Sequence, residues 1–252
     1  MFAIFLLAFI QSMTEFLPIS SSGHLLLVSA CGISHNGLAM DVALHAGTLL
    51  AVLVYFYKDI LSMLLFKNVR LIMLLALATI HIVLLGLVAG HMIEHIVRAP
   101  IWVAVCSIIF GLLLWQTDKK SKAIKTIQNM TFQDAFLIGI SQIFALIPGV
   151  SRSGITMTMG RYLGLKRTDC AHFSMLLSIP TIMGAIAYIV YKNLNGDITL
   201  PSRLDLQLGI TITAVFGLAA IAFLMKWLKN DSFFIFALYR VILGILVLIY
   251  FF

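Results

Sequence analysis

Two apolar stretches of this chain are each interrupted by a polar knot. The first reads Gln11-Ser-Met-Thr-Glu15-Phe-Leu-Pro18-Ile-Ser20-Ser21-Ser22-Gly23-His24, the second Gln142-Ile-Phe-Ala-Leu-Ile-Pro148-Gly149-Val-Ser151-Arg152-Ser153-Gly154-Ile-Thr156. Both contain Ser-x-Ser-Gly, and in both a Gln stands twelve residues before the Gly. The chain around them is 62% hydrophobic and 11% charged over 252 residues, a membrane composition rather than a soluble one. A carboxylate, an imidazole and a guanidinium at membrane depth are costly and mark a functional site. Pro and Gly within each stretch predict non-helical backbone there, which is tolerated only where protein or a water-filled cavity surrounds it. The two knots are therefore expected to face one another and not lipid.

A crossing helix needs ~20 apolar residues. The expected spans are 39–57, 70–90, 101–117, 171–191, 206–225 and 232–252, and the broken regions 1–34 and 133–168 are expected to be re-entrant hairpins. With both chain ends outside, the inside loops hold twelve basic residues: Lys58, Lys67, Arg70, Lys119, Lys120, Lys122, Lys125, Arg161, Lys166, Arg167, Lys226 and Lys229. The outside loops hold three, Arg98, Lys192 and Arg203. This bias sets the orientation and accounts for the net charge of +7 without nucleic acid as a partner. Three spans per hairpin turn the second half upside down, so a single membrane domain is expected: repeat half 1–117, cytoplasmic loop 118–132 and repeat half 133–252. Tyr57-Lys58-Asp59 and Tyr191-Lys192-Asn193 follow the two knots at similar distances, in keeping with a repeat. The start, Met1-Phe-Ala-Ile-Phe-Leu-Leu, lacks a basic region and a small-residue cleavage site, so no cleaved leader is expected. Cys31, Cys106 and Cys170 have no metal or disulfide spacing and read as packing residues.

The second knot carries the parts of an anion site. Free N–H groups at a helix start favour negative charge, and Arg152 adds a two-pronged donor for phosphate oxygens. Ser151, Ser153 and Thr156 add hydroxyls, and Gly154 permits close backbone approach. The first knot offers the complement. Glu15 is the only acidic residue before Asp41, Gln11 lies one helical turn earlier, and Ser20, Ser21, Ser22 and His24 follow the Pro18 break. Carboxylate, imidazole and hydroxyl together suit acid–base or nucleophilic chemistry, and a carboxylate beside phosphate invites a divalent cation held by Glu15. From residues alone, these groups suggest phosphoryl chemistry on an amphiphile; the plainer readings are Glu15 paired with Arg152 and His24 as a satisfied core imidazole.

The two strings resemble the signatures of the undecaprenyl-diphosphate phosphatase family, the bacitracin-resistance type. They match through Gln11, Glu15 and Phe16-Leu17-Pro18-Ile19-Ser20-Ser21-Ser22-Gly23-His24, and through Pro148-Gly149-Val150-Ser151-Arg152-Ser153-Gly154-Ile155-Thr156. His45-Ala46-Gly47-Thr48 and Phe236-Ala237-Leu238-Tyr239-Arg240 are also similar to that family. The resemblance implies an all-α fold of six transmembrane helices plus two re-entrant hairpins in an inverted repeat, commonly dimeric. It implies removal of the terminal phosphate from a C55 polyprenyl diphosphate with a divalent cation, Mg²⁺ or Ca²⁺, in a bacterial plasma membrane, at a site open to the periplasmic or outer face. It makes Glu15 the key carboxylate, Ser21 or His24 the attacking or proton-transferring group, and Arg152, Ser151, Ser153 and Thr156 the phosphate holders. Gln11 stands where some members have Glu, which removes a second carboxylate.

Three other readings compete. Another membrane lipid-phosphatase superfamily uses Ser-Gly-His and Ser-Arg-x5-His-x3-Asp; Ser22-Gly23-His24 and Ser151-Arg152 fit, but the nucleophile position falls at Thr158 and the Asp position at Tyr162. A flippase or transporter of polyprenyl phosphate also uses broken helices in inverted repeats. His91-Met-Ile-Glu94-His95 matches a zinc-peptidase string, but it is expected in an outer loop without a third ligand.

Overall fold

A computed structural model describes residues 2–30, 37–96, 100–198 and 200–251, with the side chains of 22, 26, 29–30, 37–38 and 86–96 excepted. The described residues form α-helices joined by short turns, with one isolated bridge between Lys125 and Leu165 and no strand. The helices are α1 (Phe2–Glu15), α2 (Ser21–Ala30), α3 (Gly37–Tyr55), α4 (Tyr57–Leu64), α5 (Val69–Ile96), α6 (Pro100–Lys120), α7 (Phe132–Ser141), α8 (Arg152–Tyr162), α9 (Arg167–Leu194), α10 (Arg203–Trp227) and α11 (Phe234–Phe251). Four of them, α6, α9, α10 and α11, are long and apolar enough to cross a membrane, and α3 with α4 makes a fifth such unit bent by 82°. Large apolar side chains such as Val54, Leu112, Val215, Phe223, Ile242 and Ile249 are exposed along these helices, as suits a lipid-facing surface. The chain is thus an all-α membrane protein.

The regions around the knots are built from short helices. α1 stops at Glu15 and α2 starts at Ser21, and the two pack against each other. α7 tightens into a 3-10 turn over Gln142–Leu146, and α8 begins at Arg152. Pro18 and Pro148 supply the breaks, since Pro lacks an N–H and disfavours helix before it. α1 packs on α10, and α7 packs on α5, so each short helix leans on a long helix from the other half of the chain. α3 runs along α10, α6 along α11, and a large apolar core around Phe16, Leu74, Leu114, Phe173, Ile221 and Phe233 joins them.

Three details differ from the sequence reading. The stretch after residue 56 is a helix, α4, turned away from α3; its apolar Tyr57, Leu61 and Leu64 are exposed beside Lys58, which suits a membrane surface. Tyr191, by contrast, lies within the unbroken α9, so the two Tyr-Lys strings occupy different settings. The backbone of α5 is also helical through Ile96, which puts His91-Met-Ile-Glu94-His95 on its last turns and not in a loop; the side chains of that string, like Cys31, lie outside the described residues.

The basic loops gather at one end. Asp118 Oδ1 accepts from Arg161 Nε at 2.7 Å and from Arg167 Nε at 2.8 Å, and Asp118 Oδ2 from Phe233 N at 3.1 Å. Lys125 pairs with Asp134 at 3.0 Å, the Arg70 guanidinium donates to the Gln128 and Met130 carbonyls, and His172 lies 3.2 Å from Asp59. Asp118 and Arg161 are both buried, so removing one strands the other's charge. Asp118→Ala is expected to destabilise the protein by about 3–5 kcal/mol, read as a lowered unfolding midpoint in detergent; the exposed Lys122→Ala should leave it unchanged.

Candidate active site

The two knots fold the same way. Ser20 and Ser151 have left-handed backbones, φ 73° and 70°, which non-glycine residues rarely adopt. Each immediately precedes a helix start. The Ser20 hydroxyl accepts from Gly23 N at 3.3 Å, and the Ser151 hydroxyl accepts from Gly154 N at 3.0 Å. The carbonyls of the same two serines accept from His24 N and Ile155 N, at 3.2 and 2.9 Å. Ser-x-Ser-Gly is therefore a helix cap used twice, the first serine bonding the third N–H of its helix. Gly149, with φ 92°, lies so close to α6 that a Cβ there would sit 2.6 Å from the Val103 carbonyl oxygen. A Cβ on Gly23 would reach Val103 Cγ1 at 3.1 Å and Gly149 Cα at 3.6 Å. The two turns thus meet glycine to glycine over Val103.

At that junction Glu15, the last residue of α1, is buried and fully engaged. Its Oε1 accepts from Arg152 Nη2 at 2.6 Å. Its Oε2 accepts from Ser21 Oγ at 2.7 Å and from Gln11 Nε2 at 3.0 Å, with His45 Nε2 at 3.5 Å. Ser153 Oγ adds bonds to the Glu15 and Leu17 carbonyls, both at 3.1 Å, and lies 3.1 Å from Ser151 Oγ. Thr156 bonds the Arg152 and Ser153 carbonyls and Ser174 Oγ, and Arg152 Nη1 reaches the Ser174 carbonyl at 3.4 Å.

A cavity of about 310 Å³ opens beside this cluster, lined at its polar end by Glu15, Ser21, His45, Gln142, Ser151 and Arg152. Its apolar wall includes Ile82, Leu146 and Ile182. Of the site residues expected from sequence, Glu15, Ser21, Ser151 and Arg152 reach this cavity, and Gln11, Ser153 and Thr156 stand behind them as buried supports. Gly154 does not leave its flank open, because Arg240 Nη1 lies 2.7 Å from where its Cβ would be. The Ser22 side chain lies outside the described residues. His24 is turned elsewhere: Nδ1 faces the Ser20 carbonyl at 2.7 Å, Nε2 lies 2.7 Å from the Tyr239 hydroxyl, and the two rings stack. A direct relay from Ser21 to His24 is not assembled here, and the His24 ring instead props the Ser20 turn.

Two residues escaped assignment to the site at the sequence level. His45 sits on α3, with Nδ1 bonded to the Asp41 carbonyl at 2.8 Å, which leaves Nε2 facing Glu15. Arg240 of α11 is fully buried and donates to the carbonyls of Gly149 and Val150 at 2.8 Å each. Both stand in family-like strings, which was the one signal available for them.

The donor set bears on a divalent cation. Among the described residues Glu15 is the only carboxylate lining the cavity, and the buried Gln11 Oε1 has no hydrogen-bond partner. Among the described residues no three His, Cys, Asp or Glu side chains gather as an all-protein metal cage. One carboxylate and one orphaned amide oxygen are oxygen donors of the kind a hard cation such as Mg²⁺ or Ca²⁺ accepts.

The turn geometry has a direct test. Gly164 also has a left-handed backbone, φ 90°, but open space around it, so Gly164→Ala should cost about 1–2 kcal/mol in backbone strain alone. Gly149→Ala adds a clash with the Val103 backbone and should lower the unfolding midpoint distinctly further.

Comparison with known proteins places the whole chain. The profile of the family described as bacitracin resistance protein BacA matches residues 4–246. A protein of Desulforudis audaxviator named undecaprenyl-diphosphatase is 42% identical over 248 residues, covering 95% of this chain and 94% of its own. One of the same name from Maricaulis maris is 42% identical over 260 residues, covering 97% of each chain. Undecaprenyl-diphosphatase 1 of Pseudoalteromonas translucida is 42% identical over 254 residues, covering 96% and 95%. With a match from Ile4 to Leu246, across both knots, this chain belongs to the bacitracin resistance protein BacA family.

Proposed function

We propose that this chain hydrolyses undecaprenyl diphosphate to undecaprenyl phosphate and inorganic phosphate, recycling the C55 lipid carrier for peptidoglycan synthesis and conferring bacitracin resistance. The observation that carries the reading is the Glu15–Arg152 contact of 2.6 Å, with Ser21 on the same carboxylate, at the mouth of a cavity with an apolar wall. The relatives' names supply the substrate, and a phosphate-holding end joined to an apolar wall suits a lipid diphosphate.

In this mechanism Arg152 turns from Glu15 to the terminal phosphate when the substrate enters, because a guanidinium fits phosphate oxygens as well as carboxylate ones. The start of α8 adds its dipole. Ser21 Oγ attacks phosphorus in line as the anhydride oxygen departs with the lipid phosphate. The Ser21 hydroxyl already points at Glu15 Oε2, the acceptor for its proton. Water then releases phosphate from the serine. A divalent cation would be held by Glu15 and Gln11 Oε1 and would neutralise phosphate oxygens.

The architecture that goes with this reading is six spans with two re-entrant hairpins in an inverted repeat. The identical capping of Ser20 and Ser151 and the exchanged packing of α1 on α10 and α7 on α5 support it. The membrane is the bacterial plasma membrane, and the site faces the periplasmic or outer side. α8 starts at the cavity and carries Arg161 of the basic cluster in its last turn, which supports a site displaced from the cytoplasmic end. Association into a homodimer belongs to the same proposal.

Purified protein should release inorganic phosphate from undecaprenyl diphosphate, and a chelator should stop it. Glu15→Gln and Arg152→Ala should each lower the rate by about 100-fold or more, the usual loss when a charge-stabilising group is removed. Ser21→Ala should abolish turnover; a surviving rate would favour direct attack by water. Lipid flipping in vesicles with no phosphate release would replace the hydrolase by a transporter.

A further inference from the structure

Arg240 is a guanidinium without a counter-charge. It is fully buried in α11, and among the described residues no carboxylate comes within ion-pair distance of it. Its partners are backbone carbonyls: Gly149 and Val150 at 2.8 Å each, with Pro18 at 3.4 Å and Cys106 at 3.5 Å further off. Its Nε has no partner. Burying a guanidinium this way is costly, and lasting examples in membranes belong to functional sites.

Its placement indicates what it does. Gly149 and Val150 lead directly into Ser151, the left-handed residue that caps α8 and sets the direction of Arg152. Pro18 leads, through Ile19, into the equivalent Ser20. One planar group thus reaches the turns of both knots, and its Nη1 fills the space left by the missing Gly154 side chain. A lysine at this position would keep the charge but lose the fork. The charge count of the cluster points the same way: among the described residues its one carboxylate, Glu15, is paired with Arg152, which leaves the Arg240 charge for a phosphate of the substrate to balance.

We infer that Arg240 is a positioning residue of the phosphate site: its guanidinium clamps the two knot turns together, and its fixed positive charge is balanced by the bound diphosphate and not by the protein. This rests on the hydrolase reading above. Arg240 touches no reacting atom, so its loss acts through the aim of Arg152 and Ser21 and through weaker hold on the anion.

The test uses full-length protein in detergent and inorganic pyrophosphate as probe. In wild type, pyrophosphate should raise the unfolding midpoint and inhibit phosphate release competitively. Arg240→Lys keeps the charge and loses the fork; kcat should fall about 100-fold, the scale of an ångström-level misplacement, while pyrophosphate still raises the midpoint. Arg240→Met loses both, so the pyrophosphate shift should vanish as well. Should Arg240→Met fail to fold, Gly154→Ala serves instead, since it displaces the guanidinium by contact and should lower kcat with the pyrophosphate shift retained. Folded Arg240→Lys and Gly154→Ala proteins with wild-type kcat would overturn the positioning role. A folded Arg240→Met protein with an undiminished pyrophosphate shift would overturn the charge role. A wild-type protein that binds pyrophosphate yet releases no phosphate would instead count against the hydrolase reading.

Discussion

The contact between Glu15 and Arg152 holds the site together across 137 positions of sequence. Neither group could remain charged in an apolar interior alone, because an isolated buried charge is far more costly than a paired one. Each knot therefore needs the other. The carboxylate arrives at the last residue of α1 and the guanidinium at the first residue of α8, so both sit where helices end and backbone groups are free. Under the proposed mechanism the same two-pronged donor exchanges this carboxylate for a phosphate.

Around that pair the chain uses one local device twice. A serine in the left-handed region caps a short helix with its hydroxyl, and a glycine three residues on allows close packing. The strain in such backbones, on the order of 1–3 kcal/mol each, is opposed by Arg240, by Ser153 bonded to the Glu15 and Leu17 carbonyls, and by the Val103 contact. The basic end of the molecule is held separately, through Asp118. The Asp118 ion pairs and the Glu15–Arg152 pair are thus separate clusters, joined by α8, which begins at Arg152 and carries Arg161 in its last turn.

Much of this was legible in the sequence. Composition and the spacing of apolar runs gave the all-α membrane class, and the Pro, Gly and Ser breaks located both turns. Charge chemistry anticipated that Glu15 would meet Arg152. Side-chain direction was harder to read. His24, adjacent in sequence to the knot, turns to Tyr239, while His45 arrives from α3 to face Glu15. Which imidazole meets the carboxylate depends on how α3 packs against α1, and no local pattern records that. The bend between α3 and α4 was likewise hidden, because a short amphipathic helix reads as a charged loop with apolar residues in it. Arg240 stood in a family-like string without a role attached; only the tertiary fold brings it between the two turns.

The most direct measurement is a double-mutant cycle between Glu15→Gln and Arg152→Met, read as unfolding free energy in detergent. If the two knots share one buried ion pair, the double variant should lose less than the sum of the singles, with a coupling of about 1–3 kcal/mol. Losses that add to within about 0.5 kcal/mol would mean that the carboxylate and the guanidinium do not meet, and would contradict the account.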